Sequence, residues 1–497
     1  MDITQLQPNS VWHYFNQLCE IPRPSKHEQK LVAHILDLAH KKNLDAFTDS
    51  AGNVIIRKPA SSGRESAPAI VMQSHLDMVP QKTDASTHDF FNDPIKTYID
   101  GDWVTAQGTT LGADNGIGVA AILAVMLSDD IEHGPLEALL TIDEEAGMSG
   151  AANLEPDVLN GQLLLNLDTE EEGELYVGCA GGIDVNISIP VEWEAVPDHF
   201  TALQLSIKEL KGGHSGIDIH KGLGNAVKLA TRIALESRHD FPALRVSAFQ
   251  GGTLRNAIPR NSEITVVLPN QQEDDFKDYV NALILLFRSE LRTADDTVVV
   301  DIQTIDVANL NNLSTDDTCQ CLTSESQSTL LNALYRCPNG VIKMSSLFDG
   351  VVETSNNLAT VDLSGQSCKA QCLVRSSDNA ARDKACALIE SVFSDANAEV
   401  ACDNGYPGWQ PVPESPLLGV MQRIYQETFD KAAKIQVIHA GLECGLLGKK
   451  YPEWDMISFG PTIRGAHSPD ERVHIDSVQK FWTYLLAALK TLSDTKG

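Results

Sequence analysis

A chain of 497 residues with 42% hydrophobic and 21% charged residues is too long for one core and too apolar for disorder, so it reads as at least two soluble globular domains. Its formal charge of -30 repels phosphate backbones and argues against a nucleic-acid partner. The apolar uncharged stretch Asn115 to Ser128 is too short to span a bilayer, and Met1-Asp2-Ile3-Thr4-Gln5-Leu6 lacks the basic start and apolar core of a secretory signal, so no membrane partner and a cytoplasmic location are expected.

The ten cysteines, scattered from Cys19 to Cys444 without a Cys-x-x-Cys pair, fit reduced structural thiols. Near the start, His27-Glu28-Gln29-Lys30-Leu31-Val32-Ala33-His34 imitates a metal motif, but its histidines are too far apart for the i, i+4 pair of a helical zinc site, and the segment predicts an amphipathic surface helix. Ala69 to Met72 predicts a strand entering Gln73-Ser74-His75, Gly116 to Leu127 a buried helix, and Leu136 to Ile142 and Leu163 to Leu167 two short strands. That alternation belongs to an α/β sheet. His75, the Asp143-Glu144-Glu145 run and Asp168 each follow the carboxyl end of a predicted strand, where open α/β sheets bind their ligands.

After Gly178-Cys179-Ala180-Gly181-Gly182 the pattern becomes strict alternation, with Val185, Ile187 and Ile189 apolar between Asp184, Asn186 and Ser188. This is a half-exposed antiparallel strand, and a second domain is expected to start near Ile183. Within it, strand Leu203 to Lys208, helix Asn225 to Glu236, and strands Leu244 to Phe249 and Glu263 to Leu268 resemble strand Val298 to Ile305, helix Glu325 to Tyr335, and strands near Val351 and Gln371. The expectation is an internal βαββ duplication. From about Glu399 the α/β texture returns, with strands Ile435 to His439 and Met456 to Gly460 and a closing helix from Ile475 to Leu492. His467 lies in this returning part. If it joins the site of His75, residues 185–398 are an insertion into a catalytic domain made of residues 1–184 and 399–497.

Taken singly, the polar residues are weak signals. His75-Leu76-Asp77 offers an imidazole with a carboxylate two residues on to fix its tautomer, yet a satisfied histidine is the commoner reading of such a triplet. Asp114, in the glycine-rich turn Gly112 to Gly118, also suits an N-cap, and Gly116-Ile117-Gly118 lacks dinucleotide-loop spacing. Asp143-Glu144-Glu145 sends successive side chains in opposite directions, so one can bind a metal while its neighbour acts as a base, although a solvated acidic turn would look the same. Asp168 adjoins a buried strand and needs a partner. His467 sits in a loop, Gly465 to Glu471, shaped by glycine and proline. Together, two histidines and three carboxylates without a thiolate suit a pair of Zn2+, Mn2+ or Co2+ ions. Gly147-Met148-Ser149-Gly150 lacks the spacing of a serine nucleophile elbow.

The ordered series His-x-Asp, Gly-Ala-Asp-Asn-Gly, Asp-Glu-Glu, Asn-Leu-Asp-Thr-Glu, Gly-Gly-His-Ser-Gly, Gly-Gly-Thr-Leu-Arg-Asn-Ala-Ile-Pro-Arg, His-Ala-Gly-Leu-Glu-Cys-Gly and Gly-Pro-Thr-Ile-Arg-Gly-Ala-His-Ser-Pro-Asp-Glu resembles the bacterial aminoacyl-histidine dipeptidase family, relatives of carnosinase, aminoacylase and glutamate carboxypeptidase. The match runs over nearly the whole chain. It implies a zinc-peptidase-like α/β catalytic domain, a mixed sheet flanked by helices, interrupted by an α+β lid and dimerisation domain. It implies two divalent ions per subunit, Zn2+ first among them, with Asp114 bridging, His75 and Asp168 on one ion and Glu145 and His467 on the other. Glu144 becomes the general base and Asp77 the residue that orients His75. On the lid, His214 resembles the histidine that reaches a partner subunit's active site and stabilises the tetrahedral oxyanion, while Asn256, Arg375 and Gly441 resemble substrate-holding positions. The implied activity is hydrolysis of dipeptides with a free N-terminus, Xaa-His dipeptides of the β-alanyl-histidine type included, by a homodimer. The alternatives are an N-acyl amino acid deacylase of the same clan and a non-catalytic metal-binding scaffold, against which the retained Glu144 argues.

Overall fold

Strands Ile70–His75 and Leu136–Thr141 are buried at every residue, as parallel strands covered on both faces must be. They lie at the centre of an eight-stranded mixed sheet in the order Asp45–Thr48, Val54–Lys58, Leu136–Thr141, Ile70–His75, Leu163–Asn166, Asp455–Ser458, Glu174–Cys179, Lys434–Ile438. The four central strands run parallel, so His75 and the residues following Thr141 and Asn166 emerge at one edge of the sheet. A computed structural model describes residues 2–310 and 319–494. The chain forms two compact units, one of Met1–Cys179, Trp409–Val437 and Leu442–Gly497, the other of Ala180–Gly408 and Ile438–Gly441.

In the first unit, helix Ala113–Met126 is buried at every residue except Asp114. A helix apolar all round belongs inside a core, and it packs on strand Ile70–His75 and on helix Asn9–Cys19. Contact there is close enough to demand glycine: a Cβ on Gly118 would lie 2.5 Å from Ser74 Oγ and 2.6 Å from the Leu167 carbonyl. Gly118→Ala is therefore expected to destabilise the unit by about 1–3 kcal/mol through overpacking, read as a lower denaturant midpoint. A four-stranded antiparallel sheet, ordered Ile463–Arg464, Arg472–His474, Trp103–Ala106, Thr97–Asp100, carries the loop of His467 between its first two strands. The segment around His27 and His34 forms helix Gln29–Lys41, with His27 outside it.

The second unit is built on a nine-stranded antiparallel sheet, with Val299–Ile305, Phe200–Lys208, Ser262–Pro269, Arg245–Gly251, Val352–Ser364, Ser367–Ser376, Gly181–Pro190 and Glu399–Tyr406 in that order, and Gly340–Met344 paired to Val352–Ser364. Strand Gly181–Pro190 buries Val185, Ile187 and Ile189 and half-exposes the residues between them. Helices Ala226–Glu236, Glu273–Leu291, Ser324–Arg336 and Asn379–Ser394 contribute Ile233, Phe276, Phe287, Leu330 and Ile389 to one core with Val185, Leu205 and Val266. The two βαββ passes share a single sheet. Strand Val299–Ile305, which opens the second pass, pairs with Phe200–Lys208 of the first, and the outer neighbour of Ser367–Ser376 is Gly181–Pro190. Helices Glu273–Leu291 and Asn379–Ser394 go beyond the elements expected from sequence, although the acidic first turn Glu273-Asp274-Asp275 suits a helix start. All ten cysteines are free thiols, and no helix among the described residues is long and apolar enough to cross a membrane.

Candidate metal centre and active site

Asp114 occupies the start of the buried helix, where its own φ and ψ of -82° and 110° are not helical, and the departure turns its carboxylate out of the helix wall. Its Oδ1 faces His75 Nε2 at 3.3 Å and its Oδ2 faces His467 Nε2 at 3.2 Å. His75 Nε2 also lies 3.3 Å from Asp168 Oδ1, and His467 Nε2 lies 3.0 Å from Glu145 Oε2. One carboxylate thus stands between two donor sets, His75 with Asp168 and His467 with Glu145. Donor atoms of His75, Asp114 and Asp168, of Asp114, Glu145 and His467, and of His75, Glu144 and Glu145 fall within 4.8 Å of one another. The structure brings together all six residues that the sequence reading joined in this centre.

Glu144 is framed by strained backbone. Asp143 and Met148, on either side of the short helix Glu144–Gly147, have φ of 54° and 51°, the left-handed region that non-glycine residues adopt at a cost and that gathers at functional sites. His467 shares it, with φ of 64°. Asp143 is held in place by its N–H to Glu28 Oε1 at 3.0 Å and by the hydroxyl of Ser149 at 2.5 Å.

Asp77 does more than face His75. Its Oδ1 lies 3.4 Å from His75 Nδ1 and accepts the Glu144 N–H at 3.0 Å, while its Oδ2 accepts the Glu145 N–H at 3.1 Å and the Ser25 hydroxyl at 2.7 Å. Burial alone would raise it, but these donors and the His75 imidazole hold its carboxyl down at about 2. Beneath the strand ends, buried Glu443 accepts from Gln73 Nε2 at 2.5 Å and from the Thr141 hydroxyl at 2.6 Å. Burial lifts it to about 8.

The electrostatics are those of a centre short of positive charge. Hydrogen bonds to Asp114 and Glu145 push His467 up to about 11. Burial would lower His75, yet Asp168, Asp114 and Asp77 hold it well above the ordinary histidine value. Burial, reinforced by Asp168, Glu145 and Glu443, carries Glu144 well above the usual carboxylate range. Glu145 Oε1 is buried without a hydrogen-bond partner, a state a carboxylate oxygen avoids unless a cation completes it. The residues present fit divalent cations: nitrogen and oxygen donors only, carboxylates in excess of imidazoles, and an orphaned oxygen among them.

In the second unit, Gly213–His214 pairs with Ala257–Ile258, and the Asn256 carbonyl accepts the Ser215 N–H at 2.7 Å, so His214 and Asn256 are neighbours. His214 Nδ1 accepts from the N–H groups of Gly216 and Ile217 at 3.2 and 3.1 Å, which leaves the tautomer with its proton on Nε2. Arg375 is buried, donates from Nη1 to the Tyr406 hydroxyl at 3.1 Å, and has an Nε without a partner. Gly441 closes the four-residue segment Ile438–Gly441 that belongs to this unit. The same segment holds His439, which the sequence reading passed over. Its Nε2 lies 2.7 Å from Ser355 Oγ, and burial, then the Arg375 charge, lowers it to about 3, so it is a neutral imidazole.

Residues 71–491 match peptidase family M20/M25/M40. Over 491 residues, 99% of this chain and 99% of the relative, the sequence is 45% identical to the cytosol non-specific dipeptidase of Escherichia coli (strain K12). The crystal structure of aminoacylhistidine dipeptidase from Vibrio alginolyticus aligns with a TM-score of 0.89 at 45% identity, covering 99% of this chain and 98% of that one. Aminopeptidase PepT from Bacillus cereus, 15% identical, aligns over 98% of this chain and 100% of its own with a TM-score of 0.56, a likeness of fold alone.

Proposed function

This chain belongs to peptidase family M20/M25/M40, and we propose that it is a cytoplasmic, two-metal dipeptidase that hydrolyses dipeptides with a free N-terminus, Xaa-His dipeptides among them. The observation that carries the reading is Asp114, whose two oxygens face His75 at 3.3 Å and His467 at 3.2 Å and so give two donor sets a common carboxylate. Likeness to the Escherichia coli dipeptidase supports the dipeptide substrate and the cytoplasmic location, and likeness to the Vibrio alginolyticus enzyme supports Xaa-His peptides.

His75, Asp168 and Asp114 would hold one ion, and Asp114, Glu145 and His467 the other, Zn2+ being the first choice for such a nitrogen and oxygen set. When bound, the ions polarise the scissile carbonyl and acidify the attacking water. Glu144 takes the proton of that water at its carboxylate and delivers it to the leaving amine. Asp77 fixes the orientation of His75 and, through two backbone N–H groups, the direction in which Glu144 and Glu145 project. On the lid, Arg375, with its unpaired buried Nε, clamps the substrate's free carboxylate. His214, protonated on Nε2, donates to the developing oxyanion, with Asn256 and Gly441 holding the peptide beside it. The lid is also the dimerisation element, and His214 acts in the neighbouring subunit of a homodimer.

A panel of β-alanyl-histidine and ordinary dipeptides, each free, N-acetylated or C-terminally amidated, tests the reading. Free dipeptides should be cleaved. N-acetylation and amidation should each lower kcat/KM at least tenfold, and Arg375→Ala should erase the penalty for amidation. Faster turnover of the N-acetylated set would replace the dipeptidase by a deacylase.

A further inference from the structure

Glu471 and Arg23 are both 2% exposed, and neither belongs to the donor groups of the centre. The two oxygens of Glu471 accept four consecutive backbone N–H groups: Oε2 those of Leu111 at 2.7 Å and Gly112 at 2.8 Å, Oε1 those of Ala113 at 2.7 Å and Asp114 at 3.2 Å. Arg23 holds the same turn through its carbonyl, with Nη2 to Gly112 O at 2.5 Å, and its Nη1 reaches the carbonyls of Leu76 and Asp77 at 3.0 Å each. Gly112 therefore has its N–H on one charged side chain and its C=O on the other. Its φ is +72°, and a Cβ there would fall 2.6 Å from Arg23 Nη2, so Arg23 approaches more closely than any residue but glycine would allow.

These bonds join three segments. Glu471 ends the loop that presents His467, a loop closed on itself by the Glu471 N–H to Ser468 O at 3.0 Å and tied to strand Trp103–Ala106 by the Thr105 hydroxyl to Glu471 O at 2.8 Å. Leu76 and Asp77 directly follow His75. Asp114 lies between the two.

We propose that Glu471 and Arg23 are positioning residues that set the spacing of the two ion sites about Asp114, Glu471 fixing the His467 side and Arg23 the His75 side. The proposal rests on the two-ion reading above. Each side chain suits its task chemically. A carboxylate has two acceptor oxygens for four N–H groups, whereas an amide has one, and a guanidinium reaches several carbonyls from a rigid fork, which an ammonium cannot copy.

Mn2+ titration of the chelated full-length protein, followed by electron paramagnetic resonance, separates lone ions from a spin-coupled pair. Wild type should bind two ions and end as a coupled pair; a single ion would overturn the two-ion reading itself. Glu471→Gln should keep one ion within about twofold of its normal affinity and bind the other roughly 10–100-fold more weakly, the range for loss of a ligand's support. That loss should vanish when His467→Ala is already present, while the loss caused by Arg23→Lys should persist there. The melting temperature of each ion-free variant shows whether it has folded, and if Glu471→Gln does not fold, Arg23→Lys alone and with His467→Ala carries the test. With a coupled pair in wild type, equal weakening of both ions in Glu471→Gln, or no weakening in either variant, overturns the proposal.

Discussion

Glu144→Ala is expected to lower kcat by roughly 10²–10⁴-fold, the usual contribution of a positioned acid–base group, while the protein still takes up its metal. That loss corresponds to about 3–5 kcal/mol of transition-state stabilisation. The expectation follows from where Glu144 is held. It sits between two residues in left-handed backbone, its N–H is fixed by Asp77 Oδ1 at 3.0 Å, and burial among Asp168, Glu145 and Glu443 lifts its carboxyl well above the usual range. Its backbone is thus fixed next to the donor atoms of His75 and Glu145, as a positioned proton acceptor requires. Comparing kcat with elemental analysis on the same preparation checks the role. Turnover within tenfold of wild type would remove Glu144 as the base, and loss of metal together with activity would make it a ligand.

Much of the candidate site in the first unit was legible because several of its donor residues punctuate apolar segments. His75 ends strand Ile70–His75, and Glu144 with Glu145, and Asp168, come shortly after Leu136–Thr141 and Leu163–Asn166, strands that are buried at all but one residue and mostly apolar in sequence, and parallel strands deliver their ends to one edge. Asp114 and His467 were legible through glycine-rich turns. Glu471, Arg23 and Glu443 were not, for a shared physical reason. Each acts on backbone or side-chain partners far away in the chain: Glu471 on the N–H groups of residues 111–114, Arg23 on the carbonyls of Leu76, Asp77 and Gly112, and Glu443 on Gln73 and Thr141. No local pattern marks a carboxylate that will accept main-chain N–H groups, although the stretch Gly465 to Glu471 already held Glu471 within reach of attention. Strand Val299–Ile305 illustrates the same limit at the level of the sheet. Its apolar residues announce a strand, and only tertiary pairing sends it beside Phe200–Lys208.

Chelation should abolish hydrolysis, and the pH dependence of metal uptake should reveal which groups hold the ions. In the ion-free centre, Asp114 and Glu145 hold His467 up at about 11, and Asp168, Asp114 and Asp77 keep His75 well above its ordinary value in spite of burial. At neutral pH both imidazoles therefore carry a proton that a ligand cannot keep. Each ion must displace it, so uptake releases protons and the apparent affinity rises with pH over the range below about 11. Where one proton is displaced, affinity should fall about tenfold per pH unit lowered, or roughly 1.4 kcal/mol. Zn2+ or Mn2+ titrations of the chelated protein between pH 6 and 8, in buffers of different ionisation enthalpy, measure affinity and proton release together. His467→Ala should remove the release that belongs to its ion and leave that of the His75 site. An affinity flat over those two pH units would mean that neither histidine gives up a proton to a metal, and hydrolysis surviving exhaustive chelation would separate the activity from this centre.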